Sequence, residues 1–177
     1  DPLLQARLGT AFVKGLQGND PDHMKSAACA KHYVVHSGPE ALRHEFDAVA
    51  PKRDFYESYL PAFEALVKEG GVECVMCAYN RVSGEPACGS DLLLKDILRG
   101  DWGFAGHVVS DCGAVRDFYQ HHKVATDRAE SAAWALKAGT DVNCGSTFKA
   151  LPEALERGLV TESDIDTALR RLLATRL

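Results

Sequence analysis

The run Gly106-His107-Val108-Val109-Ser110-Asp111, followed by Cys112-Gly113, decides how this chain reads. A short apolar stretch bounded by glycines reads as a strand buried on both faces. Ser110 and Asp111 fall where such a strand hands over to its loop. Three further segments have the same form, at 27–35, 72–79 and 137–142. Between them lie helical patterns. Segment 2–16 places Leu3, Leu4, Leu8, Phe12 and Leu16 on one face, with Gly18 as a stop. Segment 54–68 carries Phe55, Tyr59, Phe63, Leu66 and Val67, and Pro61 must kink it or start its second half. Ser90 reads as the N-cap of a helix over 91–99 that Gly100 ends. An Ala-rich helix over 126–138 closes at Gly139. Thr161-Glu162-Ser163-Asp164 fits a capping box for a last helix with a stripe of Ile165, Ala168, Leu169 and Leu172.

The order is helix, four strand–helix units, and an extra helix. Alternation of this kind predicts a parallel sheet with right-handed crossovers. Two architectures fit: a small doubly wound sheet, or half of an eight-stranded barrel. A complete barrel needs about 250 residues, more than the 177 here. In both, function belongs to the loops after the carboxyl ends of the strands.

Composition narrows the function classes. The chain is 46% hydrophobic and 25% charged, with a net charge of −5 and interspersed signs. No basic face is offered to nucleic acid or to an anionic membrane. No apolar run approaches the roughly 20 residues of a membrane-spanning helix. A soluble, single folded domain is expected. The ends read as those of a piece of a longer protein: Asp1-Pro2 opens without a leader, and Arg176-Leu177 closes inside a helical pattern. The six cysteines, Cys29, Cys74, Cys77, Cys88, Cys112 and Cys144, are expected as free buried thiols, because a chain of this size needs no staples.

The unusual polar residues cluster at the strand ends: Lys31-His32-Tyr33, then Tyr79-Asn80-Arg81, Asp111 and Asp141. Any one could be a solvated strand end or a turn residue. Together they place Lys, His, Tyr and two Asp on one rim. No glycine-rich nucleotide loop and no serine-hydrolase elbow occurs. Cys74-Val75-Met76-Cys77 has C-x-x-C spacing, but residues three apart in a strand face opposite ways, so this pair should neither bridge nor chelate zinc.

This constellation resembles the N-terminal barrel domain of glycoside hydrolase family 3, the exo-acting β-glucosidases and β-xylosidases. The runs CAKHYVVHSGPE, ECVMCAYNRVSGEPACGS, LLLKDILRGDWGFAGHVVSDCGAV, ALKAGTDVNCG and ALERGLVTESDIDTALRRLL carry the resemblance over nearly all of the chain. It implies a TIM-barrel-like (β/α)8 fold of which residues 1–177 are about the second half. The helical tail 147–177 would then lead toward a further domain. It also implies a retaining β-glycosidase with Asp111 as nucleophile. Lys31 and His32 would contact sugar hydroxyls, and Met76 and Tyr79 would shape the pocket. The substrate would be a small oligosaccharide or β-glycoside, with no cofactor, metal, nucleic acid or membrane. Other parts of the same polypeptide would complete the site, including the acid/base Glu, and the compartment implied is periplasmic or extracellular.

Cys112 in place of a Trp after Asp111 looks more like the xylosidase-type branch. In the acetylglucosaminidase branch an Asp-Ser-His supplies a histidine acid/base. Here His44 has that spacing but Leu42 stands at the Asp position, so no carboxylate is expected to orient it. Asp141, on the same rim, reads either as a site residue or as a structural strand-end residue. A sugar-binding half-barrel without turnover, a β-N-acetylglucosaminidase-type member of the family and, more remotely, a thiol or zinc protein are the competing readings.

Overall fold

The computed structural model describes residues 1–20 and 23–176; Pro21, Asp22 and Leu177 lie outside it. Three of the four expected strands form one parallel sheet: β1 (Cys29–Tyr33), β3 (Cys74–Cys77) and β6 (His107–Ser110), in the order β1-β3-β6. Ala30, Val75 and Val108 line one face at 4%, 1% and 0% exposure, covered by helices. The fourth strand is a correction. Lys137 and Ala138 belong to the preceding helix, and only the bridge Val109↔Val142 continues the sheet. Gly139, at φ 112°, ends that helix in the left-handed region, which leaves too few residues for a ladder.

A second, small sheet was not legible in the periodicity. It holds β2 (Asp47–Ala48), β4 (Arg81–Val82) and β5 (Glu85–Pro86). A two-residue turn joins β4 to β5, with Ser83 and Gly84 both at positive φ, as a primed hairpin turn requires. Asp47 Oδ1 accepts a hydrogen bond from Gly84 N–H at 2.9 Å and fixes it.

The helices follow the expected pattern with shifted ends. α1 (Pro2–Gln17) is capped by Asp1, and the short turn α2 (Lys52–Asp54) winds into a π-type segment, Phe55–Tyr59. Pro61 then opens α3 (Pro61–Lys68) as its first residue, where the missing N–H does no harm. The helix after Ser90 runs over Leu92–Asp101 with π-type winding, so Gly100 lies inside it instead of ending it. α4 (Ala114–Gln120), α5 (Arg128–Ala138), α6 (Leu151–Glu156) and α7 (Glu162–Ala174) complete the chain. The capping box of Thr161 and Asp164 forms as read, and α7 stops at Ala174, short of the expected end.

Two expected apolar stripes remain partly uncovered. α1 packs on α3 through its opposite face, with Ala6 and Val13 buried. A Cβ at Gly9 would sit 2.9 Å from Leu66 Cδ2, so the leucine side chain would have to shift to admit one. Leu3, Leu4, Leu8 and Phe12 are exposed, as is Leu169 of α7, because no described element packs over them.

The free-thiol expectation is corrected as well. Cys77–Cys88 and Cys112–Cys144 are disulfides, and Cys29 and Cys74 are free. Each bridge joins residues that only folding brings together. The β4–β5 hairpin returns Cys88 to Cys77, and the adjacent strand ends at Asp111 and Val142 deliver Cys112 and Cys144. Cys74 and Cys77 do not pair with each other, as strand alternation predicted.

Candidate active site

The parallel order brings the ends of β1, β3 and β6 to one edge, and Asp111 stands in their midst. Its N–H donates to Cys77 O at 3.0 Å, which extends the ladder by one residue. Its Oδ1 accepts from Cys112 N–H at 2.8 Å, and its Oδ2 lies 3.3 Å from His32 Nε2. The side chain is 13% exposed, so the carboxylate is largely enclosed. The loop that carries it is tightly held. Gly113 turns at φ 90°, a conformation that favours glycine, and donates to Cys144 O at 2.8 Å beside the Cys112–Cys144 bridge. Ser110 Oγ accepts from Cys144 N–H and from Asn143 Nδ2, both at 3.1 Å.

Of the other expected site residues, His32 and Tyr79 contact this loop, and Lys31 and Met76 do not. His32 touches Asp111, and burial pushes its imidazole below the usual range while the Asp111 charge pulls it back. At neutral pH it is an uncharged donor or acceptor. Tyr79 donates its hydroxyl to Cys112 O at 2.9 Å. Burial first, and Asp111 second, raise its pKa, so the phenol keeps its proton. Lys31 is exposed and lines a pocket of about 490 Å³ together with His32, His36, Tyr59 and Phe63. Among the described residues it makes no ion pair with Asp111. Met76 is half-buried inside β3, paired with Val109, one row beneath the rim.

Asp141 faces away from this rim. Its carboxylate, 1% exposed, takes Arg99 Nη2 at 2.7 Å, Arg171 Nη1 at 3.0 Å and Val108 N–H at 2.8 Å. It ties α7 and the Leu92–Asp101 helix to β6, a structural role that corrects the reading of both aspartates on one rim.

Sequence reasoning missed several neighbours. His36 Nδ1 and Asn80 Oδ1 are 3.0 Å apart, and Asn80, fully buried, also donates to Val34 O. The Arg43 guanidinium, paired with Glu40, lies 5.6 Å from the centroid of the Tyr79 ring. The reading of His44 needs correction. Leu42 supplies no carboxylate, yet Asp117 does, from α4, with Oδ2 2.7 Å from His44 Nδ1. That partner is 73 residues away, and no pattern in the sequence singled it out. His36 stood in a quoted run, Arg43 in an unremarkable one, and neither pattern indicated what it would touch.

A family model, the glycosyl hydrolase family 3 N-terminal domain, matches residues 1–175. The chain belongs to this family. It is 51% identical to a xylan 1,4-beta-xylosidase of Xylanibacter ruminicola over 99% of this chain and 21% of that protein. It is 38% identical to a probable beta-D-xylosidase 7 of Arabidopsis thaliana, over 100% of this chain and 24% of that one. Among solved structures, an exo-beta-xylosidase in complex with a xylobiose aziridine probe superposes at a TM-score of 0.91. It is 32% identical and covers 96% of this chain and 23% of its own. A beta-glucosidase from Listeria innocua in complex with glucose superposes at 0.86 with 33% identity, over 98% of this chain and 25% of its own. The chain thus spans about a quarter or less of these relatives.

Proposed function

We propose that this chain is the nucleophile-bearing part of an exo-acting, retaining β-glycosidase, with a β-xyloside as the favoured substrate and a β-glucoside as the close alternative. The observation that carries the reading is the Asp111 carboxylate. It is largely enclosed, held by the Cys112 amide, and flanked by His32 and by the hydroxyl of Tyr79. Such a carboxylate can attack an anomeric carbon. The glycosidic bond breaks, the departing oxygen takes a proton from an acid outside this chain, and a glycosyl ester forms on Asp111. Water, deprotonated by the same acid/base group, then attacks the anomeric carbon and frees Asp111. Lys31 and His32 would hold sugar hydroxyls, and Met76 and Tyr79 would shape the pocket beside Asp111. No cofactor or metal takes part in this scheme.

The fold that goes with it is the second half of a (β/α)8 barrel, spanning residues 1–177 with the tail 147–177 leading to a further domain. The row of parallel strands with one helix-covered face supports this. Two disulfides fit an oxidising compartment, periplasmic or extracellular. The preference for xylosides rests on the xylosidases among the relatives.

The test uses the polypeptide that carries this chain and a 2-fluoro xyloside with a good leaving group. Fluorine slows both steps, and the leaving group keeps the first one feasible, so the ester accumulates. Peptide mapping is expected to find the label on Asp111. A label on any other residue would overturn the assignment.

A further inference from the structure

The ring of Tyr79 is held from several sides. Its hydroxyl is tied to Cys112 O at 2.9 Å, in the nucleophile loop. Arg43 lies over the ring, and His44 meets it edge-on with centroids 4.6 Å apart at 66°. His44 is itself fastened, 2.7 Å from the Asp117 carboxylate. That carboxylate is completely buried at 0% side-chain exposure, in the helix that follows Asp111. Among the described residues its other oxygen has no hydrogen-bond partner, with His121 Nε2 the near neighbour at 3.8 Å. A buried carboxylate with a single close hydrogen bond is expensive, and an apolar residue would pack a helix more cheaply. The loop after β1, the end of β3 and the start of α4 therefore meet at one stack: Asp117, His44, Tyr79, Cys112.

We propose that His44, oriented by Asp117, is a positioning residue of the glycosidase site that holds the Tyr79 hydroxyl against the loop of Asp111. This rests on the reading of Asp111 as nucleophile. His44 acts through Tyr79, and its ring need not touch the sugar. The expected gain is geometric. A displacement of about 1 Å in a reacting group can lower a rate on the order of 100-fold, and an unfastened tyrosine ring has that freedom.

The experiment is a double-mutant cycle in the polypeptide that carries this chain, with an aryl xyloside as substrate and the thermal midpoint of every variant recorded. His44→Ala is expected to lower kcat by about 100-fold with little change in KM. Asp117→Leu should do the same, and the double variant should be no worse, since the two form one unit. Asp117→Asn, which keeps an acceptor oxygen for His44, should restore most of kcat. The deciding variant is Tyr79→Phe. With no hydroxyl left to place, His44→Ala should change kcat by less than about twofold in that background.

The inference is overturned by an undiminished effect of His44→Ala in the phenylalanine background, or by lost thermal stability with kcat intact. It is also overturned if rates fall only for poor leaving groups, which would make His44 a proton donor. Failure of the nucleophile reading would look different. The fluorosugar label would then sit elsewhere in the wild type, while the cycle would still report whether His44 and Tyr79 act as one unit.

Discussion

His32 Nε2 lies 3.3 Å from Asp111 Oδ2, so the residue read from the end of the first strand and the one read from the third share a contact. Parallel pairing through β3 makes this possible, since it aligns strand ends more than 70 residues apart in sequence. His32→Ala is expected to raise KM and lower kcat together, because contacts to sugar hydroxyls strengthen as charge develops at the anomeric carbon. Steady-state kinetics on aryl xylosides check this; an effect on KM alone would confine His32 to ground-state binding.

The buried imidazole of His122, stacked on Phe118, sets a pH dependence of stability. Burial pushes its pKa down to about 4. An unfolded histidine titrates near 6.5. Between those two values the unfolded chain binds the extra proton, so stability falls as pH falls, by roughly 3 kcal/mol across the window. Below pH 4 the group adds no further change. His32 and His107, also lowered by burial, act in the same direction. Urea melts at pH 7 and pH 4.5 should show the loss, and His122→Phe should reduce it. An unchanged slope in that variant would sink the assignment.

Asp141 is predicted to matter for stability without touching chemistry. Asp141→Ala leaves Arg99, 14% exposed at its side chain, without its carboxylate, and frees α7 from β6. Removing one partner of a buried ion pair costs about 3–5 kcal/mol. Thermal melts should show that loss, while activity per folded molecule, measured well below the midpoint, stays near wild type. A large fall in kcat at full folding would place Asp141 in the site instead.

The disulfides give a thiol count and a stability difference. Ellman titration of the denatured, unreduced chain should find two thiols, Cys29 and Cys74, and six after reduction. From sequence separations of 11 and 32 residues, the Cys77–Cys88 and Cys112–Cys144 bridges should contribute about 3 and 4 kcal/mol. Replacing Cys112 and Cys144 by Ser should also lower kcat, since their bridge anchors the loop of Asp111. Six thiols without reduction would refute both bridges.

What the sequence determined is local. Apolar runs between polar turns marked three of the strands, and Pro61 and the Thr161–Asp164 box marked helix starts, because caps and breakers act within a few residues. The rim of Lys31, His32, Tyr79 and Asp111 was legible for the same reason, as each follows its own strand. The tertiary structure alone decided what joins distant positions. Cys112 meets Cys144, Cys77 meets Cys88, and Asp117 meets His44 across 73 residues. It also decided which face of α1 is buried and that the segment 137–142 gives one bridge and no strand. Pairings of this kind depend on how strands align and helices dock, and neither periodicity nor residue type at a single position encodes that geometry.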